Sequence, residues 1–342
     1  MLSAPLQTAA DFMSGRGSLI ALIAAILFGS AFGMARPEAG AALAGNIDAT
    51  ILLLVFLLLF EVRIENIVSS LNRAGFIGAA LVANFIIIPV LGFAIASVFL
   101  AGRPLFAVGL VIYFMAPCTD WFLGFTRLAK GNTALGAALL PINMIVQLLL
   151  YPFYLQLFGI DAVEKSAGAV FQTLGQWFLA PLVAAAVFRF LADRLFSERL
   201  AQQVQSAVSI VVPVLLAVLV GQIAAANIET LTANVGVFPL ILGAIFLFFV
   251  LTYFLSEAIS KLMRLRYEDR VLMTMTTAAR NAPLMLALTI AVIPDQPTIY
   301  AAIVIGMLIE LPHLVALKTI LVRRRAATDA AVATFGGEPL AR

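Results

Sequence analysis

Two short stretches carry much of the chemistry available to this chain. Ala116-Pro117-Cys118-Thr119-Asp120 and Ala279-Arg280-Asn281-Ala282-Pro283 each interrupt an apolar run near its middle. Proline removes a backbone donor and clashes with the preceding turn, while Thr, Asp and Asn cap helix N-termini, so each stretch reads as a helix stop followed by a restart. Two half-helix N-termini then point into the protein, where their free N–H groups and positive dipole ends suit a polar or anionic ligand. A plain proline kink is the competing reading; the recurrence of the break in corresponding runs favours a site.

The individual side chains divide between functional and structural readings. Cys118 falls at or just before the restarted helix, where the dipole favours a reactive thiolate; a lone cysteine in an apolar helix is equally a small packing residue. Asp120 and Arg280 are ionisable at membrane depth, candidates for binding substrate and, for Asp120, for coupling to protons or ions, and are expected to pair with each other or to face a water-filled vestibule. Glu310, mid-run in Leu308-Ile309-Glu310-Leu311-Pro312-His313, is placed to exchange a proton or bind a cation, or to stay protonated as a buried hydrogen-bond donor. His313 stands three residues on, which permits a relay, although packing is the stronger reading. Asn143 and Gln147 share one face of their run and either line the same cavity or bond neighbouring helices.

The elements that must hold these residues are membrane helices. The chain has 342 residues, of which 63% are hydrophobic and 11% charged, far from soluble usage of roughly 45–50% and 25%. Apolar runs near 18–34, 46–60, 74–99, 105–129, 133–158, 169–190, 203–224, 233–260, 268–293 and 297–321 predict an all-α membrane protein of about ten transmembrane helices. Lys and Arg fall seventeen to three into alternate loops, with Arg280 inside a run, which accounts for all 21 and puts both termini in the cytoplasm. The minority set is Arg36, Arg103 and Lys165.

Halving ten spans gives two five-helix units of opposite orientation, the arrangement of inverted repeats. A shift of 163 positions lays Cys118 on Asn281, Asn132 on Asp295 and Gln147 on Glu310. The expected organisation is therefore a cytoplasmic N-terminal segment 1–17, repeats over 18–158 and 159–322, and a cytoplasmic tail 323–342. No cleavable signal segment is expected in 1–16, which lacks an apolar core. Gly29 and Gly33 form a small-xxx-small pair that predicts close helix packing.

One cysteine excludes an intramolecular disulfide, and a single histidine excludes most His-based catalytic sets. With no phosphate-binding loop, dinucleotide fingerprint or nucleophile elbow, an enzyme is not expected, nor is a cofactor. Basic residues spread over separate loops argue against nucleic acid as a partner. The expected partners are the lipid bilayer of the cell membrane, a small-molecule or oxyanion substrate, and protons.

Pro117-Cys118-Thr119, then Leu128-Ala129-Lys130-Gly131-Asn132 and Asn143, resemble the fourth and fifth helices of the arsenite permease family, within the bile acid/sodium symporter superfamily. Ala278-Ala279-Arg280-Asn281 and Leu308-Ile309-Glu310-Leu311-Pro312 are similar to its ninth and tenth. The resemblance implies that Cys118 matches the family's essential cysteine, Glu310 its tenth-helix glutamate and Asn281 the asparagine at the ninth-helix break. It also implies two inverted five-helix repeats, split into a core that bears the crossed broken helices four and nine and a panel against which the core moves. The implied activity is export of arsenite, in some members antimonite, against proton entry, with arsenic engaged at Cys118 as substrate and Thr119 beside it. The chain departs from the pattern where Ala282-Pro283-Leu284 replaces the acidic residue of sodium-coupled relatives, which counts against sodium coupling. It departs also at Asp120 and Arg280, where a guanidinium is able to stand in for a bound cation or to select an organic anion, proton- or sodium-coupled.

Overall fold

A computed structural model describes residues 16–60, 73–118, 121–157 and 179–334, together with 172 and 175. Thr119 and Asp120 lie outside the described residues, as does the first half of the sixth expected run. The described residues are helical with no strand. The helices are α1 (Arg16–Ala35), α2 (Pro37–Ala44), α3 (Ile47–Phe60) and α4 (Ala74–Phe99), the last with a π turn at Ala83–Ile87. Next come α5 (Pro104–Met115), α6 (Trp121–Leu128), α7 (Thr133–Leu157), α8 (Ala180–Leu195) and α9 (Glu198–Ala226). The chain continues through α10 (Ile228–Ala233), α11 (Phe238–Leu262), α12 (Tyr267–Ala278), α13 (Ala282–Val292) and α14 (Pro297–Thr334).

Among the described residues, five helical stretches are long and apolar enough to cross a bilayer: 74–99, 133–157, 203–226, 235–262 and 297–327; α2 and α3 together make a bent sixth. Stretches of α1, α5, α8 and α13 are apolar but shorter. Lipid exposure is written on their surfaces, where Phe28, Val98, Phe246, Phe254 and Leu262 stand open; apolar exposure on this scale marks a membrane face. The expected runs end where apolarity ends, whereas α14 runs on to Thr334. Its last turns, rich in Ala and Arg, keep helical propensity after apolarity is lost.

The helices pack in two groups. In one, α1 lies along α9, which also meets α2 and α3, and α8 lies on α3. The Gly29/Gly33 expectation is met here: an added Cβ on Gly29 would sit 2.4 Å from the Gly221 carbonyl, and one on Gly33 at 2.4 Å from that of Ala225. Backbones this close leave no room for any side chain. In the other group α5 is wedged between α4 and α14, α11 joins α4, α12 and α14, and α6 and α7 close on α12.

Segments α5, α12 and α13 lie deepest. Residues 108–118 and 271–290 are buried without interruption, so these helices are surrounded by protein on every side. Both breaks fall at the ends of these buried segments.

Candidate functional site

Each break ends a helix and then pairs with the other. Segment α5 stops at Met115 and α12 at Ala278, and past those points Ala116 and Ala279 are extended. The Cys118 amide donates to the Ala279 carbonyl at 3.0 Å, and the Asn281 amide to that of Ala116 at 2.9 Å. Pro117 and Arg280 thus face each other in an antiparallel bridge. Proline costs nothing at this position, because both bonds belong to its neighbours. Non-helical backbone at membrane depth is tolerated only where its polar groups find partners, and the two breaks supply each other's.

Asn281 holds the N-cap position of α13, followed by Pro283, but makes no side-chain capping bond. The sequence expectation of an asparagine cap is therefore met in place and not in contact. Cys118 is fully buried, opposite Ala279, against a cluster containing Phe122, Leu139, Met273 and Leu311.

Arg280 is 0% exposed. Its guanidinium donates to the carbonyls of Phe114 (3.0 Å), Thr276 (3.0 Å) and Thr277 (2.8 Å) and to Asn84 Oδ1 (3.3 Å). Among the described residues its Nε has no hydrogen-bond partner, and its Cζ lies 5.8 Å from the Phe248 ring, which stacks on Phe114 at 3.9 Å. The expected pairing with Asp120 falls on a residue outside the described set. Glu310 on α14 reaches the same crossing: Oε1 accepts from the Arg280 backbone amide at 2.9 Å and Oε2 from the Tyr113 hydroxyl at 3.4 Å. A buried positive and a buried negative group thus share one network without a direct hydrogen bond between their charged atoms.

Gly306 makes room for Tyr113. An added Cβ there would lie 2.8 Å from the tyrosine ring. His313 does not sit in this network; its ring stacks on Phe249 at 3.9 Å with Nε2 unbonded, which is the packing role.

Asn143 and Gln147 lie one turn apart on α7, both buried. Asn143 Nδ2 donates to Thr276 Oγ1 at 3.4 Å, beside the Asn84 Nδ2 bond to the same oxygen at 3.2 Å. Among the described residues, Asn143 Oδ1 and both amide atoms of Gln147 have no partner. Buried unpaired amide atoms each cost about 1–3 kcal/mol, so proteins rarely keep three together without use.

The model of the sodium bile acid symporter family matches residues 49–234, more than half of the chain's 342 residues. The chain belongs to that family. It is thus an integral membrane transporter. Among curated proteins it is 24% identical over 278 residues to the arsenical-resistance protein Acr3 of Corynebacterium glutamicum, covering 78% of this chain and 75% of that one. It is 26% identical over 211 residues to the uncharacterized sodium-dependent transporter YocS of Bacillus subtilis, covering 61% and 63%.

The sodium bile acid symporter match ends before α11, so the roles of Arg280, Asn281 and Glu310 rest on geometry and resemblance. Geometry also adds residues that sequence reading missed. Asn84 is the lone amide in the apolar run 74–99 and sits in the π turn, an irregularity that often marks function; an isolated amide in such a run was the available signal. Tyr113 and the carbonyls of Phe114, Thr276 and Thr277 carried no signal, because every residue has a carbonyl. Away from the crossing, the Asn132 side chain caps α7 through Leu135 and bonds Asp269, which pairs with Arg73. A polar cavity of about 380 Å³ opens there, bordered by Arg73, Asn132, Arg266 and Asp269.

Proposed function

We propose that this transporter exports arsenite, and antimonite by the same chemistry, in exchange for protons. The observation that carries the reading is the antiparallel bridge at residues 117 and 280, which sets the lone buried cysteine and the uncapped start of α13 side by side. A thiolate is a soft ligand for trivalent arsenic, and a single thiolate holds it weakly enough to release it. The unpaired atoms of Asn143 and Gln147 suit the hydroxyls of neutral arsenous acid, and Thr119 follows the cysteine in the motif. Likeness to the arsenical-resistance protein supports the same substrate.

Glu310 is the group we assign to proton exchange. It is a buried carboxyl at the crossing of the two breaks, and carboxyls at membrane depth are the groups from which proton relays are built. Carriage of an organic anion on Arg280 is disfavoured, because that guanidinium is buried and spends its two terminal nitrogens on four protein acceptors.

The inverted-repeat reading draws support from register. Adding 163 to Pro104–Met115 gives 267–278, the bounds of α12, and adding it to Ala74–Phe99 gives 237–262, within a residue of α11. The bridge obeys the same shift, since 117 plus 163 is 280, and its two hydrogen bonds exchange with each other under it. Two repeats meeting at a pseudo-two-fold axis would pair each residue with its own equivalent. On this reading the termini are cytoplasmic, 18–158 and 159–322 are the repeats, and the two packing groups are the moving core and its panel.

Arsenite uptake into everted vesicles, with and without a proton gradient, tests the function. Wild-type protein is expected to accumulate arsenite only with the gradient, and Cys118→Ala and Cys118→Ser to fall to background. Gradient-driven uptake that survives both substitutions would overturn the assignment of the thiol.

A further inference from the structure

The acceptors around the Arg280 guanidinium share an origin. Phe114 O lies in the last turn of α5, and Thr276 O and Thr277 O in the last turn of α12. Helix C-termini leave their final carbonyls unpaired and gather negative partial charge. The two that cross here would place theirs together at membrane depth, and Asn84 Oδ1 from the π turn completes the set. Four neutral oxygens thus converge, with no carboxylate among them. Glu310 binds the backbone amide of Arg280 instead. Such a cage of oxygen dipoles is how membrane proteins hold bare monovalent cations.

We infer that Arg280 is a tethered cation filling a monovalent-cation cage built from the carbonyls of Phe114, Thr276 and Thr277 and the side chain of Asn84, so that the crossing is held together without a bound metal ion. The cage is latent: with the guanidinium removed, its oxygens accept sodium or free guanidinium. Full burial and the aromatic face of Phe248 beside the charge suit a guanidinium, whose Nη2 gathers three of the four oxygens and whose Nη1 takes the fourth. An Arg acting only as a structural cap would be missed equally under every salt. A tethered ligand is replaced by its free counterpart.

The test reads stability and needs no transported substrate, so its outcome is separate from that of the arsenite assignment. Detergent-purified wild type, Arg280→Ala and Arg280→Lys are melted in choline, sodium and millimolar guanidinium chloride at equal ionic strength. Wild type is expected to melt alike in all three. Arg280→Ala is expected to melt lower in choline and to gain roughly 3 °C or more in sodium or guanidinium, saturably. Arg280→Lys keeps a tethered charge and is expected to be less stable than wild type but indifferent to the salt. Recovery of folded Arg280→Ala only from sodium or guanidinium is the same result in stronger form. If that variant fails to fold in every salt, Arg280→Gln takes its place with the same expectation. Indifference of the folded neutral variant to all three cations, or a sodium-specific gain in wild type, would overturn the inference.

Discussion

A guanidinium at the centre of a membrane protein needs an acceptor for almost every N–H it carries. Arg280 finds four acceptors, three at Nη2 and one at Nη1, and its Nε has none among the described residues. Removing one acceptor is therefore costly. Asn84→Leu deletes the bonds to Arg280 and Thr276, and thermal melts are expected to show a loss of about 2–3 kcal/mol, since one lost bond involves a charged group. Tyr113→Phe removes only the 3.4 Å bond to Glu310, with an expected cost of about 0.5–1.5 kcal/mol and measurable flux retained. Glu310→Gln keeps a carbonyl for the Arg280 amide but removes the negative group that balances the buried arginine. The expected result is gradient-driven arsenite uptake at background, in protein that still elutes as a single folded species.

Elements meet here by close backbone approach. Glycines at 29, 33, 109 and 306 stand where a Cβ would fall 2.3 to 2.8 Å from a neighbouring atom. Overpacking of this kind typically costs about 1–3 kcal/mol. Gly306→Ala pushes against the Tyr113 ring, so it should lower uptake more than Tyr113→Phe at similar stability, because the ring is displaced rather than trimmed. Gly29→Val, in contrast, meets backbone of α9 and is expected to destabilise the α1–α9 pair by a larger amount, read as a fall in Tm with little change in apparent arsenite affinity. The opposite ordering would mean that α1 and α9, not α5 and α14, shape the site.

For the whole molecule, the charge sorting makes a claim about sidedness that the helix packing alone does not. Ala101 lies in the loop carrying Arg103, one of the three minority basic residues, and Ala326 in the basic last turns of α14; both are exposed. In a Cys118→Ser background, Ala101→Cys is expected to react with an impermeant maleimide in intact cells. Ala326→Cys is expected to react only after permeabilisation. Labelling of both from the same side would contradict an odd number of spans between them and with it the inverted repeat.

Helix positions were largely legible because apolar length is a local property: the runs at 74–99, 133–158 and 297–321 begin where α4, α7 and α14 begin. The breaks were legible for the same reason, since proline and capping residues act within one turn. Sequence alone also pointed to Cys118, Arg280, Asn281 and Glu310 as the residues worth asking about. It left open what Arg280 touches, and it carried nothing about Asn84, Tyr113 or the three carbonyls. Those partners come from three segments, α4, α5 and α12, separated by up to about two hundred positions in the chain, and carbonyl groups are the same at every residue. Only packing of α4, α5, α12 and α14 around the crossing could choose which oxygens a buried guanidinium would meet, because a charge removed from water takes whatever acceptors the fold brings within reach.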